Sequence, residues 1–451
     1  MRMPSRRRQA AVLLSAALTA TGLLGATPAT SVTSATHEAS GDSVGSAGSV
    51  GSTTPGKKLR LASGSENAVP NGWIVVLKEP GSGNRGAAVG SSAVPGVARE
   101  LVGRAEGARL GHVYQAALRG FSARMSRAQA AELAADPRVA YVRQDTRVRI
   151  DTPPAAPPRT AADGVSTREQ TQPDAPWGLD RIDQRRLPLS TTYTYRTTAP
   201  GVSVYVIDTG LRTTHTEFGG RASVGTDTVG DGRNGNDCNG HGTHVGGIAA
   251  GATYGVAKQA RLVAVRVLDC QGSGTISGVV AGVDWVTGKG ARPAVANMSL
   301  GGAASDVLDS AVRRSIRSGV TYTVAAGSSG QAGGACSTSP SRVAETISVG
   351  ASDRSDRRAS SSNHGNCVSL FAPGVQIPSA WKDGDTATAT LNGTSMASGH
   401  AAGAAALHLG FRPTDTPAQV KRGLVDNATT GVLQGTPPVT PDKLLYTLYL
   451  P

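Results

Sequence analysis

Aromatic residues make up only 4% of this 451-residue chain, and cysteine occurs four times. This composition, with 58 glycines, does not suit a coiled coil or a disordered chain. It suits an α/β protein with tight turns and close helix packing. Stacking aromatics and a clustered basic stretch are both missing, so the formal charge of +13 does not point to nucleic acid as partner. The excess is uneven: +9 up to Glu169 and +4 from Gln170 onward. No CxxC pair is present, which leaves the spacing of Cys238, His241 and His244 without the usual context of a zinc site. No internal repeat of the kind that builds an adhesive surface protein occurs. Past the N-terminus, no stretch stays apolar for the roughly 20 residues that a membrane span needs.

The N-terminus carries a targeting pattern. Arg2, Arg6, Arg7 and Arg8 precede an apolar, small-residue run from Ala10 to Gly25, and small residues then offer cleavage points. Residues 1–36 read as a secretory signal peptide, which predicts an extracellular protein with no membrane attachment after cleavage. Export makes disulfides the default for Cys238, Cys270, Cys336 and Cys367, and spacing alone leaves all three pairings open.

Residues 37–70, rich in Ser, Gly and Thr, read as a flexible lead-in. Residues 71–150 follow the order β-α-β-β-α-β. NGWIVVLK (71–78) is a strand, PGVARELVGRAEG (95–107) has helical spacing, and LGHVYQAALRGFSARMS (110–126) alternates as two strands. SRAQAAELAADP (126–137) is a serine-capped helix, and RVAYVRQD (138–145) is a last strand. This is the pattern of a small α+β, ferredoxin-like unit. Residues 151–171, with DTPPAAPPRTAADG, hold neither helix nor central strand and form a linker open to proteolysis. From 172 to 451 the pattern changes. VSVYVID (202–208), RLVAVRVL (261–268), AVANMSL (294–300), VTYTVAA (320–326) and TISVGA (346–351) are short apolar runs separated by helical stretches. Runs with so little alternation are strands buried on both faces, so the fold class is α/β, a doubly wound, mostly parallel sheet. Chemistry in such sheets gathers at the carboxyl ends of the strands.

Three stretches place reactive side chains there. VIDTG puts Asp208 at the end of a strand. NGHGTHVGG puts His241 in a glycine-rich turn opening a helix. NGTSMASGHAAGAAALHL puts Ser395 at the start of a small-residue helix. Each alone fits a cap or a turn residue. In combination they supply a nucleophile that needs a base, a base that works near neutral pH, and a carboxylate to orient it.

These motifs, with PWGLDRIDQ, VYVIDTG, CNGHGTHV, VRVLDC, GVDWVTG, AVANMSLGG and LFAPG, resemble the subtilisin-type serine proteases, and within them the proteinase K group and its aqualysin-type members. The resemblance covers residues 172–451, and residues 71–150 are similar to the inhibitor-type propeptides of these enzymes. It implies a serine endopeptidase that acts on proteins and peptides as a monomer and needs no cofactor for catalysis. Asp208, His241 and Ser395 would be the triad. Gly272, Ser273 and Gly274 on one side and Ser299, Leu300, Gly301 and Gly302 on the other would flank an extended substrate. Ala325, Ala326 and Gly327 would line a primary pocket for apolar or aromatic residues. Cys238 would pair with Cys270 and Cys336 with Cys367. The propeptide would act as chaperone and temporary inhibitor, with self-cleavage in 151–170 and a mature start near Gln170. A structural calcium would sit at Asp180, Asp183 and Gln184. A second calcium position of the family carries an Asp where this chain has Ser369.

Two further departures stand out. The oxyanion hole of these enzymes has an asparagine side chain and the backbone N–H of the nucleophile. Here the asparagine position is Ser328, within VAAGSSG. Gly399 replaces a proline and is expected in the first turn of the Ser395 helix, where it would loosen the backbone. Together they predict an attenuated peptidase. The alternative is a pseudo-protease that binds peptides without cutting them.

Overall fold

Short β-branched runs that are apolar on every position can only be satisfied between two packed layers, and that is where this chain places them. In a computed structural model, residues 58–62, 64–80, 88–150 and 170–450 are described. The signal segment 1–36 and linker residues 151–169 lie outside the described residues.

The first unit is built from β1 (Leu59–Arg60), β2 (Ala68–Leu77), α1 (Val94–Gly103), β3 (Arg109–Tyr114), β4 (Gly120–Arg124), α2 (Arg127–Ala135) and β5 (Val139–Arg149). Its sheet order is β1-β5-β2-β4-β3. Ser126 caps α2 in a reciprocal box with Gln129, as the S-x-x-Q spacing dictates. The flexible lead-in ends earlier than residue 70. Leu59 and Arg60 pair in parallel with Val142 and Arg143, and β2 begins at Ala68. Arg60 also lies 3.9 Å over the Tyr141 ring and pairs with Asp306. These partners are distant in sequence, so local composition could not reveal them.

In the second part, the elements that carry the site are β6 (Gln170–Pro173), α3 (Trp177–Ile182), β7 (Thr192–Tyr195), β8 (Ser203–Asp208), β9 (Ala222–Asp227), α4 (His241–Ala250) and β10 (Arg261–Arg266). They continue with β11 (Ser273–Thr275), α5 (Ile276–Lys289), β12 (Ala294–Met298) and α6 (Asp306–Arg317). Gln170 and Thr171, assigned above to the linker, already belong to β6, which pairs with β7. Strands β9, β10, β8 and β12 run parallel, followed in the sheet by Val320–Ala325, Ile347–Ser352 and Leu370–Pro373. Helices α5 and α6 cover one face, with Val279, Val283, Leu308 and Val312 fully buried. The other face packs on the helix Thr394–Phe411, whose Ala401, Ala402, Ala405 and Ala406 are equally buried. Small residues let this helix lie close to the sheet and to α4.

Gly399 does not sit in the first turn. It is the sixth residue of its helix, where a Cβ would press on Ile248 at 3.2 Å and on the Val245 carbonyl at 3.3 Å. Its absence of side chain serves the contact between the His241 and Ser395 helices, which is a packing role.

The same contact region buries two neutral histidines. His244 Nε2 meets the carbonyls of Ile377 and Ala389 at 3.1 and 3.0 Å, and His400 Nδ1 meets Met396 O at 3.0 Å. Burial is the main cause that lowers their pKa values, to about 3 and about 4. The unfolded chain therefore takes up these protons before the folded one does. The stability they contribute is intact above about pH 6.5 and is lost as pH falls toward 4, on the order of several kcal/mol. The thermal midpoint of protein inactivated at Ser395 should drop steeply between pH 6.5 and 4. A His400→Gln variant should show a shallower slope; an unchanged slope would exclude this origin.

Candidate active site

Asp208 ends β8, and its backbone turn is fixed by the Thr209 N–H, which donates to Asp208 Oδ1 at 2.7 Å. His241 opens α4. Its Nδ1 lies 2.8 Å from Asp208 Oδ1, and both residues are buried. A ring nitrogen facing a carboxylate carries the proton, so Nε2 is the basic nitrogen. Nε2 itself has no hydrogen-bond partner among the described residues. Gly242 allows α4 to approach this closely, because a Cβ there would meet Gly210 O at 2.2 Å.

One carboxylate holds both segments. Asp237 accepts from Thr209 Oγ1 (2.9 Å), Asn239 N (3.0 Å), Gly240 N (2.8 Å), Thr243 N (2.9 Å) and Thr243 Oγ1 (2.6 Å). It fastens the residue after Asp208 to the first turn of the His241 helix. The fully buried Arg266 donates from Nε to Thr209 O at 3.2 Å and is paired with Asp227 and Asp231. The Cys238–Cys270 disulfide closes the same loop, and Cys336 pairs with Cys367.

Ser395 is the second residue of its helix, where a backbone N–H has no intrahelical acceptor. Its Oγ donates to Ser299 O at 3.3 Å, and Ser299 Oγ donates to Ser395 O at 3.1 Å. Asn297 completes the joint: its Nδ2 donates to Ser299 Oγ at 2.8 Å, and its Oδ1 accepts from Ser398 Oγ at 2.7 Å. The end of β12 is thus bolted to the helix that presents Ser395.

Ser328 stands beside the start of the Ser395 helix, after Gly327 in the left-handed conformation (φ 97°). Its Oγ accepts from the Thr394 N–H at 3.2 Å and lies 3.2 Å from Thr394 Oγ1. Thr394 Oγ1 accepts in turn from the Gly327 N–H at 3.1 Å. The hydroxyl is tethered to the residue preceding Ser395.

A cleft of about 290 Å³ opens beside Ser395, lined by Leu300, Gly301, Ala325, Gly327, Thr338 and Ser341 among others. Ala326 does not line it. The strand alternates, and Ala326 turns into a core with Val368 and Phe371. Thr338 and Ser341, whose hydroxyls lie 2.7 Å apart, were not foreseen; nothing in STSPS marks them as pocket residues.

The end of β5 forms another wall of the cleft as an extra strand, through Arg147, Val148 and Arg149. Arg149, Val148 and Arg147 pair antiparallel with Ser273, Gly274 and Thr275 of β11. On the other side Arg149 and Gly301 exchange two backbone bonds of 3.2 Å, while on the β11 side Ile150 N donates to Gly272 O at 3.1 Å. The docking face is apolar around Ile74, Val76, Tyr114 and Leu118. Two carboxylates anchor it. Asp145 accepts from Ser277 N and Oγ at the start of α5. Asp284 accepts from the backbone N–H groups of Gln115, Ala116 and Ala117.

The expected calcium ligands do not form a cage. Asp180 accepts from Ser190 N, Ser190 Oγ and Thr191 N, and Gln184 turns its Nε2 to the carbonyls of Arg186 and Pro188. Asp183 Oδ2 accepts from Thr194 N, and only Oδ1 is without a partner. Burial, aided by the Asp180 charge, raises the Asp183 pKa to about 7. Calcium takes roughly six to eight oxygens, and here both Asp180 oxygens and Asp183 Oδ2 already accept hydrogen bonds from the protein.

A buried Asp–His pair, with a serine at the start of the helix that packs on α4 and next to a strand-lined cleft at the carboxyl edge of a doubly wound sheet, defines a serine hydrolase that handles extended chains. The family model described as the subtilase family, Peptidase S8, matches residues 199–440, and that of peptidase inhibitor I9 matches residues 73–151. The chain belongs to the subtilase family, and it is a serine endopeptidase of the subtilisin type preceded by an I9 inhibitor unit. It is 50% identical over 342 residues to an extracellular serine proteinase of Thermus sp. (strain Rt41A), covering 76% of this chain and 78% of that protein. It is 44% identical over 293 residues to proteinase T of Parengyodontium album, covering 63% and 96%. A solved cold-adapted subtilisin-like serine proteinase is 52% identical and superposes with a TM-score of 0.59 over 61% of this chain and 99% of that one.

Proposed function

We propose that this is a secreted endopeptidase, made as a self-inhibited precursor, in which Ser395 is the nucleophile, His241 the general base and acid, and Asp208 the residue that orients the imidazole. The observation that carries the reading is the 2.8 Å bond from His241 Nδ1 to Asp208, which leaves Nε2 as acceptor beside the cleft. For Oγ to reach Nε2, the Ser395 side chain must turn from Ser299 O. Oγ then attacks the substrate carbonyl carbon while Nε2 takes its proton. The Ser395 N–H donates to the oxyanion, and Nε2 returns the proton to the leaving amine. Water repeats the sequence on the acyl-enzyme.

Substrates bind as the Arg147–Ile150 strand does, by backbone pairing that reads no side chain. Leu300, Ala325 and Gly327 make an apolar wall without an acidic residue, which supports broad apolar or aromatic preference. The tethered Ser328 hydroxyl supports attenuated catalysis. The enzyme works as a monomer, which light scattering of the mature protein checks. A fluorophosphonate probe added to culture medium should label a secreted protein at Ser395. Absence of labelling in folded, processed protein would favour the peptide-binding pseudo-protease.

A further inference from the structure

The helix Pro417–Asp426 carries Lys421 against the loop that leads into the strand Ile347–Ser352. Lys421 Nζ donates to Ala344 O at 2.6 Å and to Thr346 O at 2.7 Å. Ser369 Oγ reaches the same Thr346 O at 3.5 Å. The surrounding cavity, about 330 Å³, is lined by Lys421, Lys443, Arg342, Asn366 and small or apolar residues, and no acidic side chain lines it. Two carbonyls of alternate residues aimed at one point form the kind of oxygen cluster that holds a cation. The charge that a calcium ion would need from a carboxylate is missing, because the family's Asp is Ser369 here. A dication would also have to sit within a few ångströms of an ammonium. The site therefore does not fit calcium, yet it is not without a cation.

We propose that Lys421 is a tethered cation: its ammonium takes the place of a metal ion at the oxygen cluster beside Ser369 and fastens the C-terminal helix to the sheet without calcium. An ammonium is a compact point charge with three donors, so one group serves both carbonyls. The fastening then persists when calcium is scarce or chelated, which matters for a protein that meets variable media.

Thermal midpoints of the full chain carrying Ser395→Ala, in EGTA and in millimolar calcium chloride, test this. Lys421→Met should lower the midpoint in EGTA by about 2–4 °C, since the exposed Ala344 carbonyl and the part-buried Thr346 carbonyl lose a charged donor. Adding Ser369→Asp to Lys421→Met should create a calcium-dependent rise larger than any shown by the parent. The parent and its Ser369→Ala form should respond to calcium alike. The proposal is overturned if Lys421→Met leaves the midpoint in EGTA unchanged. It is also overturned if Ser369→Ala abolishes a calcium response of the parent, or if the double variant gains none. Should Lys421→Met fold poorly, the Ser369→Ala comparison with terbium titration still decides whether a metal already occupies the site.

Discussion

A Ser395→Ala chain is expected to accumulate as the uncut precursor, with the inhibitor unit still in its cleft. In a subtilisin, removing the nucleophile costs on the order of a million-fold in kcat, which leaves no turnover on the timescale of expression. The substrate of the first cut is already bound. Arg147–Ile150 lies between β11 and Gly301 as a product-like strand, and the chain continues from Ile150 into residues 151–170. If self-processing holds, cleavage there is intramolecular and gains from proximity. Gel electrophoresis should show a single band of the precursor for the variant. The parent should give two products, with a mature N-terminus near Gln170. Adding a trace of active parent separates the routes: conversion of the variant in trans shows that it is foldable and cleavable. Normal maturation of purified Ser395→Ala from a protease-free host would overturn both self-processing and the assignment of Ser395. Release should also be slow, because Asp145 and Asp284 hold the inhibitor through backbone N–H and hydroxyl donors as well as through apolar burial.

The sequence made the reactive residues legible because their chemistry demands specific types at specific places: Asp208 after a buried strand, His241 after glycines, Ser395 at a helix start. The parallel strands were legible because burial on both faces removes alternation. The supports were not. Asp237 looks like any loop aspartate, and its partnership with Thr209 spans 28 positions. Asn297 and Ser398 are 101 positions apart, yet their bond sets the Ser395 helix. In the sequence Gly399 reads one turn early because helix starts are blurred by small residues, and its true neighbour, α4, lies far away in sequence. β1 was missed because two residues pairing with a distant edge leave no periodicity. Lys421 showed nothing at all: a lysine on a helix is normally a solvated charge, and only the fold brings two carbonyls to it. Hydrogen-bond partners across the chain are the part of a site that pattern reading cannot reach.

Ser328→Asn should raise kcat, by about 100- to 1,000-fold if Ser328 contributes nothing to the oxyanion, with little change in KM. That range is what a subtilisin loses when its side-chain donor is removed, about 3–4 kcal/mol. Here the donor is shorter, and its oxygen is occupied. Ser328 Oγ receives the Thr394 N–H and shares a hydrogen bond with Thr394 Oγ1, which itself receives the Gly327 N–H. Two arrangements of protons satisfy these contacts. If Thr394 gives its hydroxyl proton to Ser328, the Ser328 proton is left to point at the oxyanion. If Ser328 gives its proton to Thr394, the site has only the Ser395 N–H. The first predicts a gain toward the lower end of the range or below it, and the second a gain near the full range. Ser328→Ala separates them: kcat falls further in the first case and stays level in the second. Because the donor acts on charge that develops only in the transition state, the change belongs in kcat, and a shift confined to KM would point to altered substrate binding instead. Steady-state hydrolysis of an apolar peptide anilide by matured protein reads both constants. Equal activity of parent and Ser328→Asn would show that this chain completes its oxyanion hole by another donor, and the attenuated reading would fall.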